Sequence, residues 1–210
     1  LKVSGLSYKL DEKSGPILEN FDFAIDKGNI LAILGDSGAG KTTLVRLLIG
    51  ITSPTTGSVR LDGVAIDKWS KKELSPHIGY VPQDIQLFGG SIIDNICRFQ
   101  KVDTKKLTKA CNYAGLDHIL ANEDPNQKLD LDEDSFTVSG GMKQKIALAR
   151  ALYGDPTYIV LDEPTSQMDT ITENSFLNVV TSLREMGRLI IIVTHNQKIL
   201  KMADYILAVK

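Results

Sequence analysis

What the chain lacks excludes several classes of protein. Its 210 residues include only two cysteines, Cys97 and Cys111, and these do not form a CxxC pair. We therefore expect neither a disulfide framework nor a cysteine metal site, and the two thiols fit a reducing compartment. The longest apolar runs, ILAIL and LIIIV, are far shorter than the ~20 residues that cross a bilayer. No membrane helix is expected.

The chain also lacks an excess of charge of either sign. Its 24 basic and 26 acidic residues give a net charge of -2 and an isoelectric point near 5.9. A surface that binds nucleic acid normally carries a marked basic excess, so we expect no nucleic-acid partner. Neither a signal peptide nor an initiating Met precedes the first strand-like segment. We interpret the chain as a domain cut from a longer protein.

The pattern of apolar residues predicts an α/β fold. Strand-like segments with a DG turn come first, and the buried strand NILAILG then leads into the helix KTTLVRLLIG, with Gly50 as its C-cap. From Ser91 to Tyr153 the pattern is mostly helical, after which apolar strands and helices alternate again. Uniformly apolar strands are typical of a parallel sheet covered on both faces. The helical segment is predicted to be an insertion into this core.

A phosphate-binding loop is the clearest motif. GDSGAGKT fits the pattern GxxxxGK[ST] and lies between a predicted strand and a predicted helix, which is the context that this motif requires. Its glycines, Gly35, Gly38 and Gly40, would let backbone N–H groups point at an anion beside the positive end of the helix. The predicted phosphate-binding residues are Gly35, Asp36, Ser37, Gly38, Ala39, Gly40, Lys41, Thr42 and Thr43.

Lys41 can reach the β- and γ-phosphates of a nucleotide, and the hydroxyl of Thr42 can bind Mg²⁺. The strand YIVLD ends in Asp162, whose carboxylate would arrive at the same edge of the sheet and complete the metal shell. Glu163 follows it and can polarise a water molecule beside the γ-phosphate. These residues together predict a nucleoside triphosphatase that uses ATP and Mg²⁺.

Two further polar residues follow strand-like runs. His195 closes the strand RLIIIVT and could donate to the γ-phosphate or hold the attacking water against Glu163. Gln83 follows IGYVP, and its neutral amide could contact Mg²⁺ or water. We therefore count Lys41, Gln83, Glu163 and His195 as candidate catalytic residues, and Thr42, Gln83 and Asp162 as candidate metal ligands. His77 and His118 are assigned no role.

A second candidate phosphate site lies in VSGGM. Ser139, Gly140 and Gly141 precede a helix, which again suits a phosphate, although Ser139 could instead be an ordinary helix N-cap. This site follows the inserted helical segment and is expected to lie away from Lys41. Two copies related by a twofold axis could each offer SGG to the phosphate that the other holds. The sequence thus predicts a homodimer with ATP between its subunits.

These motifs resemble, in order and over essentially the whole chain, the nucleotide-binding domain of ABC transporters. GDSGAGKTT is similar to its Walker A motif, PQD to its Q-loop, VSGGMKQKIALARAL to its signature, YIVLDE to its Walker B motif, SQMD to its D-loop and VTH to its H-loop. Tyr8 occupies the position of the aromatic ring that stacks on adenine. Within the family, ELSPHIGYVPQDIQLFGGSIIDNI resembles exporters, most closely the ATPases of bacterial type I secretion systems.

The resemblance implies the ABC ATPase fold: a P-loop NTPase core with a mainly parallel sheet, an antiparallel β subdomain near the N-terminus, and an inserted helical subdomain. We expect residues 1–83 and 156–210 to form the ATP-binding core and residues 84–155 to form the helical subdomain with the signature. It also implies a transmembrane domain upstream in the same polypeptide, membrane-fusion and outer-membrane secretion partners, and a place on the cytoplasmic face of the bacterial inner membrane.

Three departures from the family pattern concern coupling and closure. Met142 replaces the usual polar residue of the signature, and SQMD replaces SALD while keeping Ser166 and Asp169. The segment NQKLDLDEDSFT lacks the usual glycines, with Glu133 near the position of the exporter glutamate. The altered signature leaves a second hypothesis open, in which the chain is a slowly hydrolysing ATP-dependent switch. A repair or chromosome ATPase would need a long coiled-coil insertion, and a small-molecule kinase would leave SGG unused.

Overall fold

A computed structural model describes residues 1–11, 15–117, 128–129, 138–166 and 168–210. The strands are β1 Lys2–Tyr8, β2 Leu18–Ala24, β3 Ile30–Leu34, β4 Thr56–Leu61, β5 Val64–Ala65, β6 Ile78–Val81, β7 Gly90–Ser91, β8 Lys128–Leu129, β9 Tyr158–Asp162, β10 Leu189–Val193 and β11 Tyr205–Ala208. The helices are α1 Lys41–Leu48, α2 Lys71–Leu74, α3 Ile92–Ile96, α4 Thr104–Ala114, α5 Gly140–Leu152, α6 Thr170–Glu185 and α7 Gln197–Met202, with a 3₁₀ turn at Ile66–Lys68. Glu133 and His118 lie outside the described residues.

A five-stranded parallel sheet forms the centre of the fold, in the order β11, β3, β10, β9, β6. Every residue of β9 and β10 is buried. Successive residues of these strands alternate between two apolar clusters, so that Ile159 and Leu161 face one and Val160 faces the other. Full burial of such a side chain contributes roughly 1.5–3 kcal/mol. The predicted parallel sheet, covered on both faces, is confirmed.

An antiparallel sheet, in the order β2, β1, β4, β5, contains the N-terminal strands. Strands β4 and β5 form a hairpin around Asp62 and Gly63, whose φ angles are 49° and 83°. Two positive φ values in succession are typical of the type I′ turn, for which Asp-Gly is a favoured sequence. The DG turn predicted from the sequence is therefore present.

Helix α1 ends one residue earlier than predicted, with Ile49 rather than Gly50 as its C-cap. Gly50 is the next residue, at φ 72°. Its N–H donates to the carbonyl of Leu47 at 3.2 Å, and the N–H of Ile51 donates to that of Arg46 at 2.9 Å. This pair of bonds is the Schellman motif, in which glycine follows the cap because it adopts a left-handed conformation without strain.

Helices α3 and α4 both contact α5, and α5 also contacts β6 of the parallel sheet. The helix predicted for SIIDNICRF ends at Ile96, because Arg98 and Phe99 have φ angles of 56° and 57°. None of the helices in the described part of the chain combines the length and apolar character needed to span a bilayer.

Candidate active site

The loop between β3 and α1 owes its shape to two glycines. Gly38 and Gly40 have φ angles of 82° and 94°, which other residues adopt only with strain. A Cβ atom on Gly40 would also lie 3.0 Å from Cγ2 of Ile17. At Gly35 the constraint is steric, since a Cβ atom there would lie 2.3 Å from the carbonyl oxygen of Val209. Gly35 is therefore required for packing against the end of β11, whereas the sequence had suggested only loop curvature.

Lys41 begins α1 and is 9% exposed. Its Nζ donates to the carbonyl oxygens of Gly35 at 2.6 Å and Asp36 at 2.9 Å. These bonds hold the ammonium group across the mouth of the loop, next to the positive end of α1. The arrangement concentrates positive charge and N–H donors where an anion would lie.

A cavity of about 390 Å³ opens beside this loop. It is lined by Ile17, Ser37, Gly38, Gly40, Lys41, Thr42, Thr43, Gln83, Glu163 and His195. All of these except Ile17 were singled out from the sequence. Ile17 was missed because it is an ordinary apolar residue ahead of a strand, and only the fold brings it beside Gly40.

Asp162 lies at the end of β9, 1% exposed, beneath Thr42. The hydroxyl of Thr42 donates to Oδ2 of Asp162 at 3.2 Å. Burial raises the pKa of Asp162, while the hydrogen bond from Thr42 and the charge of Lys41 act in the opposite direction. Among the described residues no group of three or more His, Cys, Asp or Glu side chains is arranged around one point. Mg²⁺ is commonly bound by one or two carboxylates together with water and substrate phosphate, and Asp162 beside Thr42 would supply one such carboxylate.

Glu163 occupies a strained turn immediately after β9. Its φ is 49°, and its N–H donates to the carbonyl of Val193 in the neighbouring strand at 3.0 Å. Residues held in the left-handed region cost about 1–3 kcal/mol and cluster at active sites. The turn brings Glu163 to the cavity lining. There Nε2 of Gln83 donates to Oε2 of Glu163 at 3.1 Å, a contact that the sequence did not predict.

His195 is exposed and follows β10, on the same edge of the sheet as Glu163. Val193 of β10 is aligned with Asp162 of β9 in the parallel ladder. The residues that follow these two strands therefore leave the sheet side by side, and both Glu163 and His195 line the cavity. Carboxyl ends of parallel strands are the usual position of ligands in such sheets.

The second predicted phosphate site lies elsewhere. Ser139 is exposed and caps α5, its Oγ accepting from the N–H of Met142 at 3.3 Å. Ser139, Gly140 and Gly141 are not part of the cavity lining. Apart from its chain neighbours and the nearby backbone of α5, a Cβ atom on Gly141 would meet no atom of the described chain within 4 Å. Within one chain, the structure does not bring the two predicted phosphate sites together around this cavity.

Tyr8 also lies outside the cavity lining. It ends β1 and is half-buried against the apolar cluster on that side of the sheet. Its carbonyl accepts from the N–H of Ile17 at 2.8 Å, so the backbone of Tyr8 is adjacent to one lining residue.

Comparison with known proteins finds one family. The family model described as "ABC transporter" matches residues 18–166. The chain is 36% identical over 208 residues to the type I secretion system ATP-binding protein PrsD of Rhizobium meliloti (strain 1021), covering 99% of this chain and 36% of that protein. It is 33% identical over 210 residues to the colicin V secretion/processing ATP-binding protein CvaB of Escherichia coli, covering 100% and 30%.

Proteins with other names match as well. An ATP-dependent lipid A-core flippase of Burkholderia pseudomallei (strain K96243) is 33% identical over 205 residues, with 97% of this chain and 34% of that protein covered. The solved structure of a bacterial Atm1-family ABC exporter with ATP bound is similar over 100% of this chain and 37% of its own, with a TM-score of 0.87 and 29% identity. The chain thus spans roughly a third of the length of the relatives it matches.

Proposed function

Because the chain belongs to the ABC transporter family, whose ATP-binding domains hydrolyse ATP, we propose that it is the motor domain of a protein or peptide exporter. It is a nucleotide-binding domain of the exporter type, and an ATPase. The observation that supports the proposal best is that the glycine loop, Lys41, Glu163 and His195 line the same cavity.

Binding of the triphosphate is assigned to the loop and to Lys41. Backbone N–H groups of the loop and the positive end of α1 would hold the phosphates, and Lys41 would exchange a loop carbonyl for a phosphate oxygen. Thr42 and Asp162, already in contact at 3.2 Å, would hold Mg²⁺, and Gln83 would approach it from the cavity side. Mg²⁺ would supply charge neutralisation between the phosphates.

Hydrolysis is assigned to Glu163 and His195. The Glu163 carboxylate would accept a hydrogen bond from water and orient its oxygen towards the γ-phosphorus. As the new P–O bond forms, the bond to the bridging oxygen breaks and the proton of the water passes to a carboxylate or phosphate oxygen. His195 would donate to an oxygen of the transferred phosphoryl group. A slowly hydrolysing ATP-dependent switch is the weaker hypothesis, because both residues line the same cavity as Lys41.

A dimer accounts for the position of Ser139 and Gly141. Both stand outside the cavity of their own chain, and Gly141 faces open space. An exposed helix N-terminus with small residues suits a phosphate brought by another molecule. A head-to-tail pair of chains, each supplying SGG to the other's ATP, would use this surface and satisfy twofold symmetry.

The export function extends beyond the chain itself. We assign to the whole protein a transmembrane domain in the same polypeptide. The nucleotide-binding domain would lie on the cytoplasmic face of the inner membrane, and the whole protein would have membrane-fusion and outer-membrane secretion partners. The secretion proteins among the relatives, one of them named for colicin V secretion, favour a protein or peptide cargo. The matching flippases are named for lipid A-core, so a lipid is the competing cargo.

Mixing two inactive variants tests the shared site directly. Lys41→Ala disables the loop but keeps SGG, whereas Gly141→Asp keeps the loop and puts a carboxylate where the partner's phosphate would lie. Each variant alone should hydrolyse ATP at a few per cent of the wild-type rate or less. In an equal mixture half of the dimers are mixed, and each of these contains one intact site, so about a quarter of wild-type activity should return.

The matched control is a mixture of Lys41→Ala with the double variant Lys41→Ala/Gly141→Asp, which contains no intact site and should stay inactive. The proposed dimer is wrong if the first mixture also stays inactive, or if Gly141→Asp alone hydrolyses ATP at the wild-type rate.

A further inference from the structure

The short loop that carries His195 is tied to the first turn of a helix that is distant in sequence. Nδ2 of Asn196 donates to Oε1 of Glu173 in α6. Oδ1 of the same Asn196 side chain accepts from the N–H groups of Lys198 at 2.8 Å and Ile199 at 3.4 Å, and so caps α7. Both ends of this amide are therefore occupied.

The residue on the other side of His195 is fixed as well. Thr194 is 3% exposed, and its N–H donates to the carbonyl of Ile33 at 3.0 Å, which continues the parallel ladder. Its Oγ1 accepts from the N–H of Asn196 at 3.0 Å. His195 is thus an exposed residue between two neighbours that are held in place by hydrogen bonds. On its C-terminal side, the restraint is the side-chain amide of Asn196.

Glu173 is held in an ionised state by its partners. Its Oε2 accepts from Nζ of Lys198 at 2.9 Å, and its side chain is 17% exposed against 47% for that of Lys198. The hydrogen bonds from Asn196 and Lys198 lower the pKa of Glu173. At neutral pH it is therefore an acceptor only, and it matches the amide donor of Asn196.

These contacts close a ring that contains Glu163 and His195, the two residues to which hydrolysis is assigned. Helix α6 begins after Asp169, which caps it by accepting from the N–H of Thr172 at 2.7 Å. The segment that ends at Asp169 starts at Glu163, whose N–H is bonded to the carbonyl of Val193. The ring runs along the chain from Val193 through His195 to Asn196 and crosses the hydrogen bond to Glu173. It then returns along the chain to Glu163 and closes at the hydrogen bond between Glu163 and Val193. Removal of the hydrogen bond between Asn196 and Glu173 would leave His195 free to shift relative to Glu163.

We propose that Glu173, acting through Asn196, is a positioning residue that holds His195 at the cavity and fixes its place relative to Glu163. The inference rests on the proposed function, since it gives His195 a task in ATP hydrolysis. Neither Glu173 nor Asn196 lines the cavity, so their effect is expected on the chemical step and not on ATP binding.

Reversal of the donor and the acceptor is the decisive experiment. Asn196→Asp keeps a good N-cap for α7 but sets a second carboxylate against Glu173. A small displacement of a catalytic group can cost about 10²-fold, and we expect a fall in kcat of about tenfold to a hundredfold, with KM for ATP within about twofold of wild type. In the double variant Glu173→Gln/Asn196→Asp, the amide at position 173 donates to the carboxylate at position 196, so the hydrogen bond is kept with its direction reversed. The kcat should therefore return to within about threefold of wild type.

Two single variants serve as matched controls. Glu173→Gln retains a carbonyl acceptor for Asn196, and Lys198→Gln removes the exposed ion pair without touching the amide bond, so both should keep kcat within about threefold of wild type. Urea unfolding should show that all four variants are fully folded under the conditions of the ATPase assay. The proposal is overturned if the double variant stays as slow as Asn196→Asp, if kcat merely follows the urea midpoint, or if Lys198→Gln is as slow as Asn196→Asp.

Wild-type chain and His195→Ala are measured alongside. An inactive wild-type chain would refute the proposed function and this inference with it. An active wild type with a slow His195→Ala, combined with a fully active Asn196→Asp, would refute the positioning role alone. A fully active His195→Ala would also refute it, because no catalytic side chain would then need to be held.

Discussion

At the scale of single residues, the candidate active site contains a few side chains in unusual surroundings. Glu163 has a left-handed backbone, Lys41 is bonded to carbonyls of its own loop, and Asp162 is almost completely buried under Thr42. A strained backbone and buried charged groups are both unfavourable in the folded chain, and the hydrogen bonds of Lys41 and Asp162 offset part of that cost. Such costs are tolerated where they prepare a binding site.

Glu163→Gln tests the role given to the carboxylate. The amide keeps the size of the side chain but cannot hold the attacking water as an anionic acceptor, so we expect the rate of hydrolysis to fall at least about a hundredfold. ATP should still bind, and ATP-bound dimer should accumulate. Steady-state ATPase assays and light scattering with and without ATP measure both effects; a fully active variant would remove the assignment of Glu163.

At the scale of elements, most of the secondary structure could be predicted because the local signals agree with the fold. The apolar runs of β3, β9 and β10 are buried strands, and the DG sequence forms the β4–β5 turn. The predicted end of a helix is wrong where contacts with distant residues override the local sequence pattern. The helix predicted to continue through Arg98 stops at Ile96, where the guanidinium of Arg98 is bonded to the carbonyl of Arg150 in α5.

Two glycine substitutions separate stability from activity. Gly141 lies in α5 with open space around it, so Gly141→Ala should stabilise the isolated chain by up to about 1 kcal/mol through helix propensity. ATP hydrolysis should nevertheless fall about tenfold or more, because the methyl group would stand between the helix and the partner's phosphate. Urea unfolding and ATPase assays on the same preparation give the two readouts.

Gly50→Ala is the second substitution and serves as the control for Gly141→Ala. Gly50 has a φ of 72°, and a Cβ there would lie 3.2 Å from Leu74. The variant should lose about 1–2 kcal/mol of stability while the folded fraction keeps its kcat. Unchanged hydrolysis by Gly141→Ala would contradict the role of SGG at a shared site.

At the scale of the whole molecule, an ion-pair cluster joins parts of the chain that are far apart in sequence. Asp155 binds Nζ of Lys109 in α4 at 2.9 Å and the guanidinium of Arg188, just before β10, at 2.7 Å. The α4 side of the fold is thereby tied to the parallel sheet. The proposed boundaries of the helical subdomain, 84 and 155, stay a prediction, although Asp155 stands at one of them.

Asp155→Asn should reveal a pH-dependent part of the stability. Burial alone would raise the pKa of Asp155, but Lys109 and Arg188 together hold it below the ordinary value of 3.8. A lowered folded-state pKa gives stability that is present above the unfolded pKa and lost as the pH falls through the folded one. Since the carboxylate is about half exposed, we expect a loss of only about 0.5–1 kcal/mol at pH 7.

The difference between Asp155→Asn and wild type should shrink as the pH is lowered below about 4. Asparagine tolerates the left-handed backbone of this position, φ 54°, so the change removes the negative charge and one of the two acceptor oxygens without straining the backbone. Urea unfolding at several pH values measures it. As a control, Lys27→Gln, which breaks an exposed ion pair with Asp62, should change the stability by a few tenths of a kcal/mol at most. If the loss of stability for Asp155→Asn did not depend on pH, the ionised carboxylate of Asp155 would not be its cause.

The sequence by itself determined which strands are buried, where the glycine loop lies and which polar residues follow the strands, because these depend on short stretches of chain. Period, turn chemistry and motif spacing are local properties. Only the tertiary structure decided that Ile17 lines the cavity and that Gly35 packs against Val209. It also decided that Gln83 reaches Glu163 and that Asn196 donates to Glu173. These contacts join residues that are distant along the chain, and their distances follow from how the strands and helices pack, which no local pattern specifies.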